Sequence, residues 1–406
     1  MEKQMFNETR NVHFLKTGED LVGAAKTGVS LHCHTLHSRE LLDFVPYYAE
    51  RIPIASYFLR REMRKYELRG LTPPDFKTGY WTPPLTGAEV FNMESASMKK
   101  LGLDGLVSIT DHDSINANLE LREERCAETT PISMEWTVPF EEAFFHVGVH
   151  NLPIERATEI SEMLIGYSKA DGWPDSTRLG ELFALLNELP DVLVVLNHPV
   201  WDIEMIGQER HERALARFLA DHSASIHAIE INGFRTWREN LAAIHIAESL
   251  NLPIVSGGDR HCMHSNTMVN LTDASSFAEF VSEVRTDGHS RIAVTPEYHI
   301  PLPSRQLASI AQIMGNYQNF PEGRRIWSDR VYLDGNGSGL SALTEQWNGR
   351  PPLWTTATRW AINLLAHPWM RPVIGLLVGD KDIGSEGESR VEQEIVIGSF
   401  PAAAQR

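Results

Sequence analysis

Histidines and acidic residues stand at several points of this chain with the spacing of metal ligands, and the first point is His32-x-His34. Side chains at positions i and i+2 of a β-strand point to the same face, so this pair would direct two imidazoles into one space. Imidazole nitrogen is the commonest metal ligand among protein side chains. The pair therefore predicts a metal site at the end of a strand.

Three further groups of the same kind each follow a strand-like apolar run. They are Asp111 with His112 after residues 105–109, His198 after residues 192–196, and Asp259 with His261 after residues 252–256. Buried histidines and carboxylates need partners for their polar atoms, and a metal ion can serve several of them at once. We therefore expect these side chains to meet at one metal site.

The composition restricts the class of protein. The chain has 406 residues, 42% of them hydrophobic, as in a globular protein with one large barrel or two domains. Its 54 acidic and 37 basic residues give a net charge of −17, which would repel a phosphate backbone. Extended nucleic-acid binding is therefore not expected. The odd cysteine count (Cys33, Cys126, Cys262) predicts no disulfide framework, and Cys33 and Cys262 are expected to be small buried hydrophobes.

No segment is predicted to cross a membrane. The most apolar late stretch, residues 360–378, is interrupted by Asn363, His367 and Arg371 and carries two prolines that would break a spanning helix. The N-terminus lacks the apolar core of a signal peptide. We expect a cytoplasmic protein without a membrane partner, and the sequence leaves its oligomeric state open.

Hydrophobic periodicity predicts an alternation of strands and helices. The predicted strands are residues 29–33, 106–109, 132–136, 145–149, 192–196, 228–231 and 253–256. The predicted helices are residues 88–101, 156–170, 178–188, 209–221, 240–249 and 276–286. Such alternation favours a parallel sheet, and site residues at the C-terminal ends of strands favour closure into a barrel.

Two regions fall outside this alternation. Residues 39–84 are rich in aromatic side chains, follow directly on the first histidine pair, and are predicted to overhang the site. The proline-rich stretch 295–303 opens a C-terminal extension. We therefore expect a barrel domain over residues 1–295, with an insertion at about 39–84, and an extension of unknown role over residues 296–406.

Taken in order, the motifs resemble the polymerase and histidinol phosphatase (PHP) family. The matching set is His32-x-His34, Asp111-His112, Glu135, His146, Asn197-His198-Pro199 and Gly258-Asp259-Arg260-His261. Each motif alone is weak, whereas their order over residues 28–265 is specific. The resemblance implies an α/β fold, a distorted (β/α)7 barrel of the PHP type with an insertion and a C-terminal extension. It also implies two or three divalent metal ions at the strand ends and hydrolysis of phosphate esters.

The resemblance further implies which residues hold each ion. By position, the first ion belongs to His32, His34, Glu135 and Asp259, the second to Glu135, His146 and His198, and the third to His112 and His261. Imidazole suits zinc and iron while carboxylates favour harder ions such as manganese, so this mixed set does not select one metal. No other cofactor is expected.

Three positions allow two interpretations each. His150 lies four residues after His146 on the same strand face, so one of them is the ligand and the other a donor beside it. Asp111 is either a ligand or a residue that orients one. The family's usual acidic residue or histidine after the first pair is replaced by Arg39-Glu40. Glu40 would take its place as a ligand, or Arg39 would bind a substrate phosphate as a bidentate donor.

The chemistry of such a site agrees with phosphoester hydrolysis. Two metal ions about 3.5–4 Å apart can convert a shared water into a hydroxide nucleophile and neutralise charge on a phosphoryl oxygen. Asp259 or His261 would pass a proton to the leaving alkoxide. We predict a metal-dependent phosphoesterase acting on a small phosphorylated molecule, with Asp259, His261 and Arg39 as catalytic residues.

Two alternatives belong to other classes of function. An amidohydrolase that cuts a C–N bond uses a similar scaffold, but it often has a bridging lysine, which the sequence does not supply at a recognisable position. A non-catalytic PHP module would keep the barrel for binding. The nearly complete ligand set disfavours that module, because so many buried polar groups are costly without a metal.

Overall fold

A computed structural model describes residues 12–43, 45–46, 50, 53–70, 73–124, 129–169, 175–334, 339–349 and 351–378. Cys126 lies outside these residues. Cys33 and Cys262 are both buried free thiols, as predicted.

The described residues form a mixed α/β structure. Its strands are β1 Val12–Phe14, β2 Thr27–Cys33, β3 Glu40–Leu41, β4 Tyr80–Trp81, β5 Asp104–Val107, β6 Ile132–Phe140, β7 Ala143–Leu152, β8 Leu193–Leu196, β9 Ala228–Asn232, β10 Ile254–Arg260, β11 Met268–Thr272, β12 Arg291–Val294, β13 Val331–Leu333 and β14 Ser341–Ala342. Its α-helices are α1 Pro53–Leu68, α2 Gly87–Lys100, α3 Asn116–Arg122, α4 Ala157–Ser168, α5 Ser176–Asn187, α6 Gln208–His222, α7 Trp237–Leu250, α8 Phe277–Arg285, α9 Leu302–Ile313, α10 Leu343–Gln346, α11 Leu353–Ala366 and α12 Arg371–Val378. The seven predicted strands and six predicted helices are all present, with differences at their ends.

Local sequence signals explain where two of the helices that flank the site begin. Helix α2 starts at a capping box, in which Thr86 accepts the backbone N–H of Glu89 and the Glu89 carboxylate accepts the N–H of Thr86. Helix α7 starts at the same motif, formed by Thr236 and Glu239, and ends at Asn251 in a left-handed conformation. These caps satisfy backbone donors that the helix itself leaves free.

Ten strands form the main sheet. Its hydrogen-bonded order is β1-β12-β11-β2-β10-β9-β8-β7-β6, and β5 pairs with β2 outside this path. Strand β2 is fully buried and pairs in parallel with both β5 and β10. Beyond β5, the N–H of Asp113 donates to the Glu135 carbonyl at 2.9 Å, and the N–H of Glu135 donates to the Asp111 carbonyl at 3.2 Å. The chain that follows β5 is thus hydrogen-bonded to β6.

The expectation of a parallel sheet is wrong for β7, which runs antiparallel to both β6 and β8. Strands β6 and β7 form a hairpin whose register brings Phe140 opposite Ala143, with only Glu141 and Glu142 between them. A turn this short can join only antiparallel strands, because a parallel pair needs a crossover of a dozen or more residues.

Three strands of the main sheet are not among those predicted from the sequence. Strand β11 pairs antiparallel with β2 and with β12, and β1 pairs in parallel with β12. Together they extend the sheet on one side of β2. These strands have three to five residues, which is too short for periodicity alone to distinguish them from loops.

The insertion and the C-terminal extension meet in a second sheet. Its order is β14-β13-β4-β3, so β4 of the predicted insertion pairs with β13 of the predicted extension. A separate apolar cluster of Leu42, Trp81, Leu333 and Leu343 packs with this sheet. The division of the chain at residue 295 remains a prediction. Among the described helices, none combines the length and the apolar character that a bilayer crossing requires.

Candidate metal centre

The structure brings most of the predicted ligands together where several strands of the main sheet end. His32 lies near the end of β2, Glu230 in β9 and Asp259 near the end of β10, while His112 follows β5 and His198 follows β8. Each therefore lies on a strand of the main sheet or in the chain that follows one. This placement agrees with the expectation that the motifs meet at one site.

Glu135, at the centre of the cluster, is completely buried. Five histidine nitrogens surround its two oxygens: Oε2 lies 3.0 Å from His32 Nε2, 3.4 Å from His34 Nε2 and 3.3 Å from His112 Nδ1, and Oε1 lies 3.2 Å from His146 Nδ1 and 3.3 Å from His198 Nε2. Asn197 also donates its amide N–H to Oε1 at 2.9 Å. One carboxylate thus faces five imidazoles.

Of these five histidine contacts, only that of His32 is a hydrogen bond. The polar atoms that are left without partners show whether metal ions would fit the site. Five buried atoms of the cluster have no hydrogen-bond partner among the described residues: His34 Nε2, Glu40 Oε1, His112 Nδ1, His146 Nδ1 and His198 Nε2. A buried polar atom without a partner is costly. Divalent ions accept lone pairs from both imidazole and carboxylate, so this donor set fits them.

A second carboxylate, Glu40, completes a neighbouring group of four potential ligands with His34, His112 and His261. Glu40 Oε2 lies 3.0 Å from His261 Nε2 and 3.3 Å from His112 Nε2, and Glu40 Oε1 lies 3.7 Å from His34 Nδ1. The ring of His34 stacks on that of His261 at 4.3 Å. Of the two residues that replace the family's usual ligand, Glu40 is therefore the one that enters the cluster.

Arg39 directly precedes β3 and is exposed, whereas Glu40, the first residue of β3, is buried. The Arg39 guanidinium sits 4.9 Å from the centre of the Tyr80 ring. A phosphate-binding role for Arg39 stays a prediction.

Asp111 lies beside the cluster and accepts hydrogen bonds from Thr35, the residue after His34. Its Oδ2 accepts a hydrogen bond from the Thr35 hydroxyl at 2.7 Å, and its Oδ1 accepts the Thr35 backbone N–H. Burial raises the pKa of Asp111 to about 6, although the two hydrogen bonds from Thr35 oppose that shift. Of its two interpretations, this geometry favours the orienting role, because Thr35 directly follows His34.

Asp259 lies at the edge of the cluster. Its Oδ1 is 3.6 Å from His34 Nε2 and 3.8 Å from both His32 Nε2 and His261 Nδ1, while its Oδ2 is 3.5 Å from Arg235. Asp259 is thus close enough to share an ion with the first histidine pair after a small shift of its side chain.

Three of the ligand candidates have backbone angles that non-glycine residues rarely adopt. The φ angles are +63° at His32, +28° at His198 and +46° at Asp259. Strain of this kind concentrates at functional sites, where the surrounding structure enforces it. The sequence predicted that His32 and His34 point the same way because they are two apart on a strand. In the structure His32 has a left-handed backbone, so regular strand geometry does not account for the pair.

Glu230 is not among the residues predicted from the sequence. Its Oε1 lies 2.6 Å from His32 Nδ1, and its Oε2 accepts the backbone N–H of His198 at 2.8 Å. Glu230 therefore orients both histidines or binds an ion together with them. The available signal is a charged residue inside the predicted apolar strand 228–231.

The cluster carries an excess of negative charge. Its buried carboxylates are Glu40, Glu135, Glu230 and Asp259, and the buried cationic side chain beside them is Arg235. Burial opposes charging of the His32 ring, but Glu135 and Glu230 outweigh that effect and raise the His32 pKa well above its ordinary value. Without metal, protons held by histidines must balance the carboxylates. Divalent cations would replace them.

The geometry favours His146 over His150 as the ligand candidate. His146 faces Glu135, whereas His150 Nδ1 lies 2.8 Å from the Ser108 hydroxyl, and burial lowers the His150 pKa to about 3. His150 is therefore a neutral, hydrogen-bonded histidine outside the cluster.

This difference predicts opposite results for two matched variants on one strand. His146→Asn should lower the number of bound metal ions and weaken metal affinity by about 10- to 100-fold or more, because it removes a direct ligand candidate. His150→Asn should leave both quantities unchanged, at some cost in thermal stability. Titration of the metal-free variants with Mn²⁺ would measure this. Weaker binding only in His150→Asn would reverse the assignment.

Comparisons with known proteins give weak likenesses. No protein-family profile and no curated protein matches the chain. PsfC from Pseudomonas syringae PB-5123 is 16% identical, with 52% of this chain and 83% of that chain covered and a TM-score of 0.34. An amidohydrolase from Chromobacterium violaceum, solved with sulfate and no metal, is 15% identical, with 45% and 84% covered and a TM-score of 0.29. A "putative metal-dependent phosphoesterase" from Bifidobacterium adolescentis is 13% identical, with 51% and 94% covered and a TM-score of 0.31. At these TM-scores the likenesses assign neither a fold nor an activity to this chain.

Proposed function

We propose that this protein is a metal-dependent hydrolase that cleaves a phosphate ester of a small molecule. The observation that carries the proposal is the group of buried, unpartnered histidine nitrogens around Glu135. Such a group has no role in an apolar core, and its residue types are those of hydrolytic metal sites.

The residues fall into overlapping groups that would hold the ions. His32, His34 and Glu135, with Asp259, would hold one ion; Glu135, His146 and His198 would hold a second; and Glu40, His112 and His261 would hold a third, so that each imidazole serves one ion. When bound, divalent ions would lower the pKa of a water molecule and neutralise negative charge on a phosphoryl oxygen. Manganese, iron and zinc all suit these ligands.

Arg235 favours a phosphorylated substrate over an amide. Its side chain is buried, its Nε has no hydrogen-bond partner among the described residues, and its guanidinium lies 3.3 Å from the centre of the Trp201 ring. A guanidinium that is held by stacking and retains a free donor is suited to a phosphate oxygen. Its contact with Asp259 places that donor beside the metal ligands.

Asp259 and His261 are the candidate proton donors to the leaving alkoxide. Asp259 lies between Arg235 and the histidines, and His261 is partly exposed at the edge of the cluster. His261 is the stronger candidate: burial opposes the charge of Asp259, but the neighbouring histidines hold the pKa of its carboxyl well below its usual range, so Asp259 keeps no proton to donate.

We further propose that seven strands of the main sheet close into a barrel in the order β2-β5-β6-β7-β8-β9-β10. The hydrogen bonds of residues 111–113 with Glu135 supply the link between β5 and β6 that the ring needs. The site would then lie at the C-terminal end of such a barrel, where barrel enzymes have their active sites.

Metal content and substrate turnover test the function together. Protein purified without chelator or metal-affinity resin should contain two or three equivalents of manganese, iron or zinc per chain. It should hydrolyse p-nitrophenyl phosphate, lose that activity after chelation, and regain it with Mn²⁺. Turnover of N-acyl amides without turnover of phosphate esters would favour the amidohydrolase. Less than about half an equivalent of metal after reconstitution would contradict a metal-dependent hydrolase and favour a non-catalytic binding module.

A further inference from the structure

Glu40 reaches the cluster from outside the main sheet. The other candidate ligands of its group belong to the chain around β2, β5 and β10, whereas Glu40 lies in β3, at the start of the predicted insertion. Strand β3 is two residues long and pairs with β4, with Glu40 opposite Trp81 and Leu41 opposite Tyr80. The position of Glu40 therefore depends on what holds this short pair of strands.

The β3-β4 pair has little stability of its own. Its ladder is two residues long, and residues 42–79 separate its strands along the chain, so closing it costs conformational entropy. Two-stranded sheets are at best marginally stable in isolation. Strand β13 of the C-terminal extension adds the missing neighbour: Val331 pairs with Trp81, Tyr332 pairs with Tyr80, and the N–H of Thr82 donates to the Arg330 carbonyl at 2.9 Å.

Side-chain packing connects the same elements. Leu333 of β13 is buried in one apolar cluster with Leu42, which follows β3, and with Trp81 of β4. A Cβ atom added at Gly79 would collide with Leu333, which shows how closely the extension lies against the chain entering β4. Trp81 also lies 5.6 Å from the His261 ring. Through Trp81, this cluster thus connects the extension with the candidate ligands Glu40 and His261.

The extension also contacts the segment after His261. In helix α9, Gln312 accepts the backbone N–H of Met263 at 2.8 Å and lies 2.8 Å from His264 Nε2. Cys262 packs against Ser309 of the same helix. The extension therefore touches the chain next to His261 as well as the strand pair that carries Glu40.

We infer that the C-terminal extension is a positioning element of the metal centre, in which β13 and α9 hold Glu40 and His261 at the distance needed to bind one cation. This inference rests on the proposed function, since it assumes that the cluster binds metal. It assigns to residues 302–334 and 339–349 a role in assembling the group His34, Glu40, His112 and His261. The ions around Glu135 would not depend on it, because their ligands lie on or directly after strands of the main sheet.

Leu333→Ala tests this inference without changing a ligand. The protein and its variant are stripped of metal, reconstituted with Mn²⁺, freed of excess ion and analysed for manganese per chain by mass spectrometry. We expect the variant to lose about one equivalent relative to the unmodified protein and to retain the rest. Glu40→Gln should show the same loss, and the double variant should lose no more than either single variant. Leu343 belongs to the same apolar cluster. If Leu333→Ala does not fold, Leu343→Ala replaces it in this test.

Leu186→Ala is the matched control, because Leu186 is equally well buried but lies in the core around helix α5. It should retain the full manganese count. Equal counts in the unmodified protein and in folded Leu333→Ala would overturn the inference while leaving the proposed function intact, and so would an equal loss in Leu186→Ala. Absence of bound manganese in the unmodified protein would contradict the proposed function itself, and the inference with it.

Discussion

Glu135→Gln should remove the two metal ions that Glu135 would bridge, leaving at most the ion held at Glu40, and should abolish metal-dependent hydrolysis. Glutamine keeps the shape of the side chain but removes the negative charge that faces five histidine nitrogens. The amide would also present an N–H group to nitrogens that need to donate a lone pair to an ion. We expect an effect larger than the 10- to 100-fold loss of affinity that is typical when a residue supporting a ligand is changed.

The matched control for this variant is Glu181→Gln, which makes the same substitution on the exposed surface of helix α5. Glu181 is paired there with Arg178 and is distant from the site in sequence and in its contacts. It should leave metal content and turnover unchanged. Metal content can be measured by mass spectrometry and affinity by calorimetric titration. A Glu135→Gln protein that retains two ions would show that Glu135 does not bridge them.

Arg260→Met should lower the free energy of unfolding by about 3–5 kcal/mol, because it leaves a buried carboxylate without its partner. Arg260 Nε lies 2.8 Å from Glu94 Oε1, and both side chains are buried. Glu94 also accepts hydrogen bonds from the Ser30 hydroxyl and from the backbone N–H of Asn266. Burial raises the pKa of Glu94, while the charge of Arg260 works against that shift. Loss of the arginine would therefore favour a protonated Glu94.

The same variant should disturb the metal centre, because Arg260 lies between Asp259 and His261 and its guanidinium donates to the His264 carbonyl. Urea denaturation, followed by circular dichroism, measures the stability. Arg178→Met, which breaks the exposed pair with Glu181, should cost less than about 1 kcal/mol. The double variant Glu94→Gln/Arg260→Met should recover part of the loss. A cost of Arg260→Met no greater than that of the exposed control would contradict the importance of this buried pair.

The sequence alone identified the elements that carry the site. Apolar runs such as residues 192–196 predicted the buried strands, because a strand buried on both faces is apolar at every position. The ligand motifs behind those runs predicted which side chains would meet. His32, His34, His112, Glu135, His146 and His198 do lie together. The motifs at His32, His34, His112 and His198 are each local, so their own stretches of sequence predicted them, whereas Glu135 and His146 were predicted only by the family resemblance.

Features that depend on distant parts of the chain were decided by the tertiary structure. The choice of Glu40 over Arg39 depends on the pairing of β3 with β4, and that pair is completed by a strand about 250 residues further on. Glu230 faces His32 from a strand whose own pattern indicated only a buried core. The short strands β11 and β12 are defined by their neighbours in the sheet, because they are too short to show a periodicity of their own. Side-chain period and motif spacing are local properties of a sequence, whereas strand pairing and the partners of a buried charge are set by packing between residues far apart along the chain.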